Sequence, residues 1–199
     1  MNPFYTFASF TINMVSRALF RAKATGTENI PRTGPLIIAC NHVSFLDPPV
    51  MGSFAPRRIS YMAKKELFEI PVLGPAIGAL GAYPVDREGS AAAAIKRSVE
   101  VLRKGGCIGI FPEGGRNRDG TNEVRQGVAL LASLGKAPVV PAAIVGSRNA
   151  KKLGQIKVAF GKPIALPSER KATREDLAKF TDDVMSAIRA LEKSIGGNS

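Results

Sequence analysis

The chain has no tryptophan, one histidine and two cysteines among its 199 residues. It is also poor in acid, with 16 Asp and Glu against 28 Lys and Arg and a formal net charge of +12 at pH 7. Each scarcity excludes something. Two cysteines do not make the disulfide framework of a small secreted domain. Cys40 and Cys107 both sit in apolar runs, Leu36-Ile37-Ile38-Ala39-Cys40 and Cys107-Ile108-Gly109-Ile110. They read as two small buried side chains in a reducing compartment. No run reaches the roughly 18–20 apolar residues of a membrane-spanning helix. The uncharged stretch from Ile70 to Val85 is broken by Pro71, Gly74, Pro75, Gly78, Gly81 and Pro84, which makes it a poor spanning helix. The N-terminus has neither the early basic cluster nor the small-residue cleavage site of a secretory leader.

Hydrophobic residues are 45% and charged residues 22%. That balance excludes a disordered chain and a polytopic membrane protein. The length suits one domain able to bury a core without staples. From Ser168 onward six basic residues balance six acidic ones, so the whole excess lies in residues 1–167. It occurs partly as pairs, Arg57–Arg58, Lys64–Lys65, Arg103–Lys104 and Lys151–Lys152, and never as a long block. The partner is anionic, and the scatter argues against a nucleic-acid tail.

Residues 4–20 are amphipathic at helical spacing. Phe4, Phe7, Ala8, Thr11, Met14, Val15, Ala18 and Leu19 share one face, and Thr6, Ser9, Asn13, Ser16 and Arg17 lie opposite. Phe10 and Phe20 fall on or near the polar side. Two readings fit: a helix packed on the core, or one lying in a membrane surface.

Beyond it, apolar runs alternate with helical stretches. Strands are expected at Lys23–Ile30, Leu36–Asn41, Arg57–Ala63, Ala82–Asp86, Cys107–Phe111, Val139–Val145 and Ile156–Phe160. Helices are expected at Asp47–Phe54, Glu66–Leu80, Ser90–Arg103, Val124–Leu134 and Thr173–Ile195, the last opening on a near capping box, Thr173-Arg-Glu-Asp176. This alternation predicts a single layered α/β domain. Its mostly parallel mixed sheet has about seven strands flanked by helices. The expected organisation is an amphipathic membrane-associating helix over 1–24, the domain over 25–195 and a disordered tail over 196–199.

Candidate chemistry collects at strand ends. The lone His42 follows an apolar strand in Asn41-His42-Val43-Ser44-Phe45-Leu46-Asp47-Pro48. On a regular helix His42 and Asp47 would diverge by about 140°, but a loop folds them together. Asp47 also suits an N-cap, with Pro48 at the first helical position. An Asp that accepts from one ring nitrogen leaves the other as a general base. A Cys40–His42 nucleophile pair is conceivable, although Cys40 belongs to the buried run. No Gly-x-Ser-x-Gly elbow supports a serine hydrolase. Phe111-Pro112-Glu113-Gly114-Gly115-Arg116 follows another apolar strand; its glycines let amides approach an anion, and its arginine forks onto phosphate. A third strand ends in Tyr83-Pro84-Val85-Asp86-Arg87.

These residues carry a resemblance. Asn41-His42-Val43-Ser44-Phe45-Leu46-Asp47 is similar to the N-H-x-S-x-x-D box of the PlsC-type 1-acyl-glycerol-3-phosphate acyltransferases. Gly81–Arg87, Phe111–Arg116 and Val139–Ile144 resemble that family's second, third and fourth blocks, in the family's order. Gly115 departs from the usual Thr or Ser, and Asn117 from a common Ser.

The resemblance implies acyl transfer from a thioester to the free hydroxyl of a lysophospholipid, giving phosphatidic acid. It implies His42 as base, Asp47 as its orienting partner, and Arg87 and Arg116 on the acceptor phosphate. Glu113 and Gly114 would organise that pocket, and Lys64 is a further phosphate candidate. No metal or cofactor is implied. The donor would be acyl-CoA or acyl-carrier protein. The partner surface would be an anionic membrane rather than nucleic acid, with the protein peripheral on the cytoplasmic face. Gly115 keeps two alternatives open: another acceptor, such as glycerol 3-phosphate or a different lyso-lipid, or an acyl thioesterase.

Overall fold

The computed structural model describes residues 3–85, 91–115, 127–167 and 172–197. Helix α1 (Pro3–Phe20) leads into strand β1 (Lys23–Thr25). Then follow β2 (Leu36–Cys40), α2 (Asp47–Phe54), β3 (Ile59–Lys64), and two short helices, α3 (Glu66–Glu69) and α4 (Leu73–Ala79). Strand β4 (Tyr83–Val85), α5 (Ala91–Arg103), β5 (Cys107–Ile110) and α6 (Gly127–Gly135) come next. Strands β6 (Val139–Val145) and β7 (Lys157–Phe160) and helix α7 (Arg174–Ser194) complete the order. All seven expected strands are present in one sheet, ordered β1-β7-β6-β2-β5-β3-β4. Only the β6–β7 pair is antiparallel.

Strand β2 lies at the centre and every one of its residues is buried. That is why it reads as an unbroken apolar run: both faces of a parallel sheet are covered by helices. Its side chains alternate between two cores. Leu36, Ile38 and Cys40 pack with Val50, Met51 and Phe54 of α2. Ile37 and Ala39 pack with α5, α6 and α7 through Leu102, Val128, Leu131, Phe180, Val184 and Ile188. Cys40 and Cys107 are both buried and free.

Two local expectations are corrected. The first strand stops at Thr25, because Gly26 turns with φ 72° into a single 3-10 turn, Thr27–Asn29. A Cβ at Gly26 would lie 2.0 Å from the Phe160 carbonyl oxygen, so the turn requires glycine. The single helix expected over Glu66–Leu80 is two, α3 and α4. Ile70 is extended and Val72 takes a φ of 69°, an uncommon conformation for a β-branched residue, and Pro71 between them suits a break. The helix expected from Val124 begins, within the described residues, at Gly127. The capping box of α7 is present: Thr173 Oγ1 accepts the Asp176 amide and Asp176 Oδ2 accepts the Thr173 amide.

Arg57 belongs to one of the adjacent basic pairs of the sequence. It is buried, donating to the Pro31 carbonyl at 3.0 Å and the Gly105 carbonyl at 2.7 Å.

Helix α1 packs the opposite way from a core helix. Its polar side faces the domain: Asn13 Nδ2 donates to the Ser53 carbonyl of α2 at 3.1 Å, and Arg17 lies 5.1 Å over the Phe54 ring. Tyr5 is buried and its hydroxyl accepts the Ile59 amide at 3.3 Å. The apolar side is left outside, with Phe4, Phe7, Met14, Val15 and Leu19 all exposed, and Phe10, read on or near the polar side, is exposed as well.

Candidate active site

Strands β2, β5, β3 and β4 are adjacent and mutually parallel. Their C-terminal ends therefore open on one edge of the sheet, where ligands of open α/β sheets bind. That edge carries His42 after β2, Phe111, Glu113 and Gly114 after β5, and Lys64 at the end of β3. The segment following β4 leads to Arg87, which lies outside the described residues, as does Arg116. Lys64 is exposed.

The loop after β2 is wrapped around one carboxylate oxygen. Asp47 Oδ2 meets His42 Nδ1 at 2.9 Å and the amides of Val43 and Ser44 at 2.7 Å each. Asp47 is fully buried, while the His42 side chain keeps 15% exposure. An ionised carboxylate only accepts, and here the same oxygen already takes two amide protons. Nδ1 therefore carries the imidazole proton, and Nε2 is left with its lone pair. This corrects the capping expectation. Leu46, not Asp47, occupies the N-cap position, and Asp47 is the first helical residue with Pro48 following. Its carboxylate serves the loop before it. Asp47 Oδ1 has no hydrogen-bond partner among the described residues.

Asn41 fastens the other side of this loop. Its Nδ2 donates to the Ile144 carbonyl at 3.0 Å and its Oδ1 accepts the Ile144 amide at 2.8 Å. The side chain thus extends the β2–β6 pairing one step past the strand's end. Nδ2 also lies 3.5 Å from Glu192 Oε1 of α7, whose carboxyl burial pushes up.

Cys40 is behind the site rather than in it. Burial first, then the charges of Asp47, Glu113 and Glu192, push its thiol well above the ordinary range. A neutral buried thiol is inert as a nucleophile, so the Cys40–His42 pairing is not supported.

Phe111 had been read only as part of a motif. Its ring stacks on the His42 imidazole with centroids 4.0 Å apart and planes 22° from parallel. The Tyr61 ring lies beyond it at 6.3 Å. A tight turn then closes from the Gly114 amide to the Phe111 carbonyl, 2.9 Å, with Gly114 at φ 69°. That turn contains Glu113. The place of Phe111 at the head of the Phe111–Arg116 block, at the end of an apolar strand, was the signal for it in the sequence.

An acyltransferase family profile matches residues 21–145, which include His42, Asp47, Phe111, Glu113 and Gly114. The chain belongs to the acyltransferase family. Among relatives of this acyltransferase, the 1-acyl-sn-glycerol-3-phosphate acyltransferase of Bacillus subtilis is 33% identical, over 96% of this chain and 98% of its own. That of Streptococcus pneumoniae is 32% identical over 84% of this chain, which spans 64% of its length. The crystal structure of the 1-acyl-sn-glycerophosphate acyltransferase PlsC from Thermotoga maritima superposes with a TM-score of 0.75 at 24% identity, covering 98% of this chain and 83% of that one. The layered, mostly parallel architecture of this acyltransferase is thus shared with that structure.

Proposed function

We propose that this enzyme transfers an acyl group from a thioester to the free hydroxyl of 1-acyl-glycerol 3-phosphate, forming phosphatidic acid. The observation that carries this reading is the His42–Asp47 pair, Nδ1 to Oδ2 at 2.9 Å, just past the C-terminal end of β2. A relative with that named activity, matched over 98% of its length, supports it, as does a second matched over 64% of its length. His42 Nε2 takes the acceptor hydroxyl's proton as the oxygen attacks the thioester carbonyl carbon. Asp47 holds the ring and stabilises the imidazolium. The tetrahedral intermediate collapses with cleavage of the C–S bond, and the departing sulfur takes the proton back from the imidazolium. The products are an ester and a thiol, with no covalent acyl-enzyme.

Arg87 and Arg116 hold the acceptor phosphate as bidentate donors. Glu113 and the Gly114 turn organise that pocket, and Lys64 adds positive charge at the same edge. The donor is acyl-CoA or acyl-carrier protein. The enzyme is peripheral, on the cytoplasmic face of the membrane. The outward apolar face of α1 supports this, since a soluble domain rarely leaves such a stripe unburied. Among the described residues no helix is long and apolar enough to cross a membrane. The basic excess of residues 1–167 suits an anionic bilayer.

The test is thioester consumption with and without lysophosphatidic acid, for the parent and His42→Ala. Acceptor-dependent consumption that is lost in the variant is expected. Release of free fatty acid undiminished by acceptor would mark a thioesterase. Full activity with a phosphate-free acceptor would remove the arginine assignment.

A further inference from the structure

The aromatic ring against His42 has no role in the reading above. Phe111 is not merely nearby. Its ring lies face-on to the imidazole at 4.0 Å, near-parallel, and the Tyr61 ring lies 6.3 Å from it, 13° from parallel. The imidazole is therefore held between two constraints of different kinds. Asp47 fixes its Nδ1 edge within the ring plane, and Phe111 fixes the plane itself.

We propose that Phe111 is a positioning residue for the acyl transfer, and that its π-face stabilises the His42 imidazolium formed when the acceptor proton is taken up. A ring face attracts a cation within about 6 Å of its centroid, and the attraction grows when water is excluded. His42 is neutral before proton transfer and positive during it. The interaction thus strengthens as the transition state forms, the condition under which it raises kcat rather than only lowering KM. It also aims Nε2, because a ring free to rotate about its Nδ1 hydrogen bond would sweep that nitrogen out of line with the attacking hydroxyl. This proposal rests on His42 being the general base.

Other charges bear on the same imidazole. Asp47 approaches from α2, Glu113 of the loop after β5 acts on the adjacent Cys40, and Glu192 of α7 reaches Asn41. Cys40 of β2 and Tyr61 of β3 carry neutral groups, both pushed upward chiefly by burial. A useful experiment must leave all of these in place.

The experiment replaces Phe111 with a series of ring-fluorinated phenylalanines in the full-length protein. Fluorination withdraws charge from the ring face at nearly constant shape. Activity is measured with lysophosphatidic acid in mixed micelles across pH. The expected result is a stepwise fall in kcat with each fluorine, reaching about tenfold for the most fluorinated ring, with the acceptor KM unchanged. The acid limb of the kcat/KM profile shifts to lower pH along the series, since a less stabilised imidazolium releases its proton more readily. Phe111→Tyr retains activity, and Phe111→Leu falls with the fluorinated end of the series; if the Leu variant does not fold, the fluorinated series decides. A flat series, with equal kcat and coincident acid limbs, overturns the proposal. His42→Ala separates the two failures. An inactive His42→Ala beside a flat series removes the role of Phe111 alone, whereas an active His42→Ala removes the base on which it depends.

Discussion

The side-chain amide of Asn41 and the backbone of Ile144 pair through two hydrogen bonds of 3.0 and 2.8 Å, one in each direction. Asn41 is buried and directly precedes His42. The pair closes the last rung between β2 and β6 and so sets where the loop carrying His42 begins. It also explains the fourth motif block: what Val139–Ile144 presents to the site is the backbone of Ile144.

Asn41→Ala leaves a buried amide and a buried carbonyl of Ile144 without this partner. Each such group costs about 1–3 kcal/mol. A loss of about 2–4 kcal/mol is therefore expected, measured as a lower midpoint in urea unfolding with an unchanged slope. A midpoint equal to the parent's would show that the strand ends do not depend on this clamp.

Asp47→Asn tests charge separately from shape. The asparagine carbonyl oxygen still accepts the amides of Val43 and Ser44, so the loop keeps its form. The negative charge opposite Nδ1 is lost. A fall in kcat of about 10³-fold or more is expected, with a near-parent circular dichroism spectrum. Retention of more than a tenth of the parent rate would show that Asp47 only shapes the loop.

Phe7 is 70% and Phe10 64% exposed. Replacing both with Asp removes apolar contact with a bilayer without opening the core. Stability in solution is expected to stay within about 0.5 kcal/mol of the parent. Co-sedimentation with vesicles containing anionic lipid should be lost, while turnover of a short-chain, water-soluble acceptor persists. Unchanged sedimentation would exclude α1 as the membrane face.

Gly115 occupies the place where the family usually has Thr or Ser. A Cβ there meets nothing within 4 Å among the described residues, so Gly115→Ser is expected to change the melting temperature little. Kinetics with lysophosphatidic acid and glycerol 3-phosphate then report whether the hydroxyl selects the acceptor. A shifted ratio of kcat/KM is expected; an identical ratio would show that the missing hydroxyl has no part in acceptor choice.

The buried thiols make stability fall in alkali. Burial pushes Cys107 up to about 12, against an ordinary thiol near 8.5. Between those values the unfolded chain has released the proton and the folded chain has not. The unfolded state binds fewer protons there, so stability decreases as pH rises. It is fully present below about 8.5 and lost progressively toward 12. Tyr5, Tyr61, Tyr83 and Cys40, all raised chiefly by burial, act in the same direction. Urea titrations from pH 8 to 11 should show this slope, reduced in Cys107→Ala. Parallel slopes would mean that Cys107 opens to solvent before unfolding.

The strands were legible because burial dictates their composition. Strand β2 is covered on both faces and so consists of Leu36-Ile37-Ile38-Ala39-Cys40, with no charged residue. The single helix expected over Glu66–Leu80 was not legible, since its break depends on the backbone of Val72 rather than on its apolar pattern. Arg57 counts as charge in any composition, yet its place is set by the carbonyls of Pro31 and Gly105, distant in sequence.

The sequence alone determined the α/β alternation, the motif residues His42, Asp47 and Glu113, and the amphipathic pattern of residues 4–20. These follow from local periodicity and residue chemistry. Only the tertiary structure decided which side of α1 faces water, that one oxygen of Asp47 serves three donors, and that Phe111 lies against His42. The reason is physical. A helical pattern says that two faces differ but not which one is buried, and Phe111 meets His42 only because β5 pairs beside β2 in a sheet whose strand order the linear chain does not spell out.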